Sequence, residues 1–289
     1  MAVAEYALSI VVGSNGAAGS VEGLLEALAP QVDGAEVVVC EPKTSPQAVQ
    51  ERFPFARFLE RPRALVPVLW TEGIHQSSGR LVALTISPMR PASDWIATIR
   101  AQLDQVDVVA GAIDPGGSLR LSDWAEYFVR YSRDMLPFEP HECLDLPGDN
   151  VAYKRELLEQ AQDVYQDGFW EPDVHRRLHA RGAVLWHTPE LVVRQGRSAG
   201  ARAFARQRLA HGRAHGHQRG SRSTRARNVL GVLASPLVPA LLTARVLREV
   251  QRRQRFRARA IAALPLILFF DCAWAAGEAL GHVDALRGK

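Results

Sequence analysis

Short apolar runs and stretches of helical periodicity alternate through the first two thirds of the chain. Leu8 to Val12 is one such run. It ends in Gly13-Ser14-Asn15-Gly16, and Val21, Leu24, Leu25 and Leu28 follow at helical spacing. Glu36 to Cys40 is a second run, closed by Glu41-Pro42. Leu81 to Thr85 is a third, surfacing into Ile86-Ser87-Pro88 before a helix that starts near Asp94. Apolar strands with Gly, Ser, Asn and Pro at their exits, separated by amphipathic helices, predict an α/β fold: a mostly parallel sheet with helices on both faces. Ligands bind such sheets at the carboxyl ends of the strands, so the exits at Gly13, Glu41 and Ser87 are where chemistry is expected. No carboxylate follows Thr85 before Pro88.

The last third has a different texture. Arg194 to Arg227 is rich in Arg, Gly and His; Val229 to Leu247 is apolar with Pro236 and Pro239 inside it; arginines cluster from Arg252 to Arg259; Ile261 to Leu280 is apolar except for Asp271 and Glu278. The chain is thus expected to divide into an α/β domain, 1–195, and a basic helical extension, 196–289. Residues 1–193 hold 16 Lys or Arg against 27 Asp or Glu, whereas residues 194–289 hold 19 against 4, so the net charge of +4 conceals an acidic body and a basic tail. A basic tail points to an anionic partner.

Neither apolar run is an uncharged span of ~20 residues. A single crossing at 229–247 would also carry the Arg cluster away from a cytoplasmic α/β domain, against the positive-inside tendency. Helices lying on or shallowly inserted into an anionic membrane at its cytoplasmic side are the expected arrangement. The other reading is a helical subdomain that covers the sheet or forms a dimer. Nucleic acid is not expected, because the 194–227 stretch offers Phe204 as its single aromatic and no zinc-ligand spacing. His211, His215 and His217 sit among arginines and read as a solvated basic segment. Trp124, Tyr127, Phe128, Tyr131 and Phe138 read as core or lid packing. The three cysteines, Cys40, Cys143 and Cys272, are widely spaced, which indicates neither a disulfide framework nor a zinc site and fits a reducing cytoplasm. The N-terminus lacks the pattern of a signal peptide.

Four blocks occur in a telling order: 8–16, 36–41, 73–95 and 147–182. In the last, Gly148-Asp149-Asn150-Val151-Ala152-Tyr153-Lys154-Arg155 precedes Phe169-Trp170-Glu171-Pro172-Asp173 and Arg177-Leu178. Together they resemble the family-2 glycosyltransferases, which have a GT-A fold. The resemblance implies an inverting, hexosyltransferase-type transfer of sugar from a nucleotide-sugar donor to an acceptor hydroxyl, and leaves the acceptor open, a lipid-linked one or a polysaccharide among the candidates. It implies Glu171 as general base with Asp173 as a second acid, Gly13, Ser14, Asn15, Glu41 and Ser87 on the donor side, and Asp149, Asn150 and Trp170 on the acceptor side. Gln207 and Arg208 match an element near the acceptor.

Two departures bear on the cofactor. The family's Asp-x-Asp cation motif at the end of the fourth strand is replaced by Thr85-Ile86-Ser87, and its Val-x-His reads Val193-Arg194-Gln195. Hard divalent cations prefer carboxylate oxygens, so bound Mg or Mn is not expected. Three readings follow: a metal-independent transferase that holds the diphosphate with arginines such as Arg194 and Arg197; a catalytically inactive relative that binds nucleotide sugar, lipid or protein; or a metal site completed by Asp94 or Asp149.

Overall fold

The computed structural model describes residues 6–14, 18–117, 119–197 and 200–288. They form two compact units, one built from 1–114 and 134–196 and the other from 115–133 and 197–289.

The first unit begins with β1 (Leu8–Gly13), α1 (Ala18–Leu28), β2 (Ala35–Glu41), α2 (Gln47–Arg52), β3 (Ala56–Glu60), α3 (Val66–His75) and β4 (Leu81–Ile86). It continues through β5 (Met89–Pro91), α4 (Trp95–Leu103) and β6 (Val108–Pro115); the chain then leaves for α5 (Leu121–Tyr131) of the other unit. It returns as β7 (His141–Glu142), β8 (Asn150–Lys154), α6 (Arg155–Gln160), α7 (Gln162–Tyr165), α8 (Glu171–His179) and β9 (Leu185–Gln195). The strands lie in the order β3-β2-β1-β4-β8-β6-β9-β5, with β7 on β9.

The first four strands are parallel, as the apolar runs predict, and beyond β4 the sheet becomes mixed because β8 pairs antiparallel with both β4 and β6. Every residue of β1 is buried, as a strand covered on both faces requires. On α1, Val21, Leu24, Leu25 and Leu28 are fully buried, so the helical spacing read from the sequence is the packing face. Register sets the rim of the sheet. Gly13 lies opposite Cys40 on one side and Ile86 on the other, so the exits of β2, β1 and β4 stand abreast.

The second unit is helical. To α5 it adds α9 (Ala201–Ser221), α10 (Arg225–Ala234), a 3-10 turn (Ser235–Leu237), α11 (Val238–Arg253) and α12 (Arg257–Leu286). The aromatic stripe 124–131 belongs here: Trp124, Tyr127, Phe128 and Tyr131 of α5 are buried, and Trp124 packs on Phe256 with ring centroids 4.9 Å apart. Helices α9 and α12 run side by side in the same direction, from Phe204 against Phe270 to Gly220 against Ala285. Their backbones touch through glycines. A Cβ on Gly212, Gly216, Gly277 or Gly281 would overlap main-chain atoms of the opposite helix.

That close approach makes α9 and α12 one rigid pair. A methyl-bearing residue in the ladder must push two backbones apart, at ~1–3 kcal/mol for overpacking a tight interior. Gly281→Val should therefore lower the unfolding midpoint by several degrees, while Gly117→Ala, where a Cβ meets nothing within 4 Å, should leave it unchanged. Differential scanning calorimetry of the two variants checks this.

Candidate active site

The rim of the parallel strands is built from small residues, Gly13, Ser14 and Ser87, and one acid, Glu41. Gly13 ends β1 with Val66 Cγ1 and Trp70 Nε1 only 3.0 and 3.1 Å from where a Cβ would stand, so a larger residue is poorly tolerated there. Ser14 is buried, its N–H donating to the Cys40 carbonyl at 2.9 Å. Ser87 N–H donates to Gly13 O at 3.2 Å, which locks the exit of β4 to that of β1. Glu41 is buried at the exit of β2, where its two oxygens accept from Ser45, the backbone N–H at 2.8 Å and the hydroxyl at 3.0 Å. Asn15 lies outside the described residues.

Three buried polar side chains near this rim have no hydrogen-bond partner among the described residues: Thr85 Oγ1, Ser87 Oγ, and both amide atoms of Gln195. β5 pairs Met89 with Gln195, and Gly196 N–H donates to Pro88 O at 2.6 Å, so the end of β9 lies against the loop that leaves β4. Unpartnered buried polar atoms cost ~1–3 kcal/mol each, so these side chains call for an explanation. These are the positions where the sequence departs from Asp-x-Asp and Val-x-His.

Arg90 is a residue that sequence reasoning missed. It lies on β5 opposite Arg194, and a Cβ on either Gly23 or Gly196 would collide with its guanidinium, which therefore rests between two bare Cα positions. The signal was a pair of distant glycines that only the fold brings together.

Glu171 opens α8, preceded by Trp170 in an extended conformation and followed by Pro172 in the first turn, a strong helix start. Its carboxylate lies against Gly148, whose Cβ, if present, would overlap Glu171 Oε1, so Gly148 leaves the space the acid occupies. Trp70 ties this helix start to the rim. Its Nε1–H donates to Thr85 O at 2.9 Å, its ring meets Phe169 edge-on with centroids 6.4 Å apart, and Phe169 N–H donates to Pro67 O at 2.9 Å. Further along α8, His175 Nε2 is 2.7 Å from the Tyr153 hydroxyl. Burial, and after it the Glu171 charge, hold the Tyr153 phenol protonated.

The other expected residues have these placements. Asp173 is turned along α8 to Arg176, 2.9 Å away. Asp149 is buried at the turn before β8, one residue from Gly148. Asn150 spends its amide on the protein: Nδ2 donates to Ala112 O and Leu191 O at 3.0 and 2.9 Å, and Oδ1 accepts from Trp95 Nε1 at 2.8 Å. Those bonds make Asn150 a brace between strands and α4. Arg208 is likewise committed within the helical unit, 3.7 Å from Asp271 Oδ1 and over the Trp274 ring. His211 is tucked beside Arg130 and Arg208; desolvation and those two charges lower its pKa to about 4, so it departs from the solvated tract read in the sequence.

No protein-family model matches the sequence, and a search of curated proteins finds no match. Among solved structures, the chain is similar to the mannosyltransferase PcManGT from Pyrobaculum calidifontis in complex with GDP-Man and Mn2+, with a TM-score of 0.56 and 17% identity, covering 98% of this chain and 88% of that one. TarS 1-349 from S. aureus is also similar, with a TM-score of 0.46 and 14% identity over 90% of this chain and 70% of that one. The first likeness shows the fold. The chain has a GT-A-type glycosyltransferase architecture, a central mixed sheet flanked by helices with a helical C-terminal extension.

Two measurements test the geometry. Asn150→Ala strands Trp95 Nε1 and two carbonyls, and should cost ~2–4 kcal/mol in equilibrium denaturation. Burial lowers the His175 pKa from 6.5 to about 4, so between those values the unfolded chain binds a proton that the folded chain refuses. Its contribution is full above the unfolded pKa and is lost as pH falls toward about 4. The melting temperature should drop through that window less steeply in His175→Gln than in the wild type.

Proposed function

We propose that the chain transfers a sugar from a nucleoside-diphosphate donor to an acceptor hydroxyl, with inversion and without a divalent cation. The observation that carries the reading is the pairing of an acid-bearing helix start with hydroxyl and amide groups at the strand exits: Glu171 in the space left by Gly148, and Thr85 Oγ1, Ser87 Oγ and the Gln195 amide without hydrogen-bond partners among the described residues. A divalent cation does not fit that donor set. Two hydroxyls and an amide lack the carboxylate that a hard cation prefers, and among the described residues no group of three or more His, Cys, Asp or Glu could hold a metal.

In this reading the nucleoside lies over Gly13, Ser14 and Glu41, and the diphosphate reaches Thr85, Ser87 and Gln195. Arg90, across β5 from Arg194, supplies the charge that a cation would bring, since a guanidinium fork suits phosphate oxygens. Glu171 takes the proton of the acceptor hydroxyl as its oxygen attacks the anomeric carbon. The bond from that carbon to the diphosphate oxygen breaks, and the nucleoside diphosphate leaves with its negative charge held by the rim. In this reading Trp170, beside Glu171, and Asp149 bound the acceptor. The acceptor is lipid-linked or a polysaccharide, met at the cytoplasmic side of an anionic membrane.

A second reading keeps the fold and drops the chemistry: an inactive chain that binds nucleotide sugar, lipid or protein. The absence of carboxylates at Thr85-Ile86-Ser87 favours it. Transfer assays with UDP-, GDP- and dTDP-sugars in the presence of chelator separate the two. The transferase reading expects turnover, reduced ~100-fold or more by Glu171→Gln with nucleotide binding unchanged. It also expects Thr85→Asp with Ser87→Asp to make turnover depend on Mn2+. Nucleotide binding without turnover of any donor supports the inactive reading, and no nucleotide binding removes the transferase reading and leaves lipid or protein binding.

A further inference from the structure

Two helical stretches, 225–253 and 257–286, are long and apolar enough to cross a membrane. The packing of the helical unit decides how they meet one. One side of α12 is consumed by α9. Phe270, Asp271, Gly277 and Gly281 face it, through backbone-to-backbone contacts that leave no room for lipid between the helices. That partner is among the most basic segments of the chain. Arg202, Arg206, Arg213 and Arg219 are exposed along it, and Arg213 and Arg219 pair with Asp284 and Glu278 of α12 itself. If α12 crossed a bilayer, α9 would have to enter the hydrocarbon with it, and several exposed arginines at that depth are prohibitive.

The opposite side of α12 is bare. Ile261, Pro265, Leu268, Phe269, Cys272 and Leu280 form an exposed, uncharged stripe, with Ile261 at 69% exposure. At ~1.5 Å per residue the stripe is roughly 29 Å long. A second bare face runs along α10 and α11 through Leu230, Leu233, Leu237 and Leu241, spaced at one helical face, with Leu233 at 71% exposure. The side of α10 and α11 that is turned inward carries Asn228, Pro239, Val246 and Val250. Exposed arginines stand at both ends of this face, Arg225 and Arg227 before it, Arg245 and Arg248 after it, and Arg257 and Arg259 open α12.

An apolar strip rimmed at both ends by unneutralised guanidinium groups matches one kind of partner: an anionic phospholipid surface, with acyl chains for the leucines and phosphates for the arginines. We propose that the helical unit is a monotopic membrane-docking module, in which the bare faces of α10, α11 and α12 sink into one leaflet beneath anionic headgroups while α9 stays in water. The inference rests on the reading of the chain as membrane-associated and adds its mode, lying in the membrane instead of spanning it.

Flotation of the full chain with vesicles tests it, using phosphatidylcholine alone and phosphatidylcholine mixed with phosphatidylglycerol. The topology probe is Gln251→Cys, an exposed position near the junction of α11 and α12, in a background with Cys143→Ser and Cys272→Ser; the remaining Cys40 is buried. The module should float with the anionic vesicles and lose roughly tenfold or more of its partition in Leu233→Asp with Leu237→Asp, and again in high salt. The Gln251→Cys thiol should react fully with an impermeant maleimide added outside the vesicles, and a polarity-sensitive dye on native Cys272 should shift to the blue on binding.

Flotation with the Gln251→Cys thiol protected would mean a spanning hairpin and overturn the proposal. Flotation on neither vesicle would remove membrane association itself. A monomer–dimer equilibrium in sedimentation abolished by Leu233→Asp, without flotation, would assign the face to a second copy of the chain. Stabilisation of the Leu233→Asp, Leu237→Asp variant by nucleoside diphosphates, measured in parallel, reports that the variant is folded and keeps the transfer reading separate from this outcome.

Discussion

The hydrogen bond from Trp70 Nε1 to the carbonyl of Thr85 is the contact on which the candidate site depends. Trp70 is almost wholly buried, so its single donor needs a partner, and the partner it takes is a carbonyl near the end of β4. The same ring meets Phe169, two residues before Glu171. One side chain on α3 thereby fixes the distance between the exit of β4 and the start of α8. Were that indole replaced by an aliphatic group, the acid and the rim would each keep its local structure and lose its common reference.

Around that tie stand hydroxyl and amide groups. A cation motif works by setting carboxylates beside a metal and letting the metal meet the phosphates. Here Thr85 and Ser87 carry hydroxyls and Gln195 an amide, and the Arg90 guanidinium on neighbouring β5 is lodged against two glycines. In the proposed reading, hydroxyls at Thr85 and Ser87 leave no anions for a cation to balance, and an amide at Gln195 leaves no imidazole to hold one. Glu171 is set apart from them on α8. Its field is felt by the buried Tyr153 phenol, which in turn meets His175 and pins the helix.

The fold was largely legible in the sequence, and the site only in part. Continuous burial of β1 and the four-residue rhythm of α1 follow directly from Leu8–Val12 and Val21–Leu28, because strand and helix periodicity are local. Long-range pairing was not legible. That β8 enters antiparallel beside β4, that α5 joins the C-terminal helices, and that Gly23 and Gly196 converge on Arg90 are tertiary facts carried by residues far apart in the chain. Asn150 shows the same limit: its type and motif suggested substrate, yet three hydrogen bonds to Trp95, Ala112 and Leu191 commit it to the sheet. The glycines of α9 carry no local signal of their role, because what they make room for is the backbone of α12, far along the chain.

Isothermal titration of UDP, GDP and dTDP into the full chain, once with chelator and once with Mn2+, tests the central claim most directly. A rim made of Thr85, Ser87, Gln195 and Arg90 predicts that at least one nucleoside diphosphate binds with the same affinity in both conditions, and that Arg90→Ala weakens it in both. Binding that appears only with Mn2+ would contradict the account.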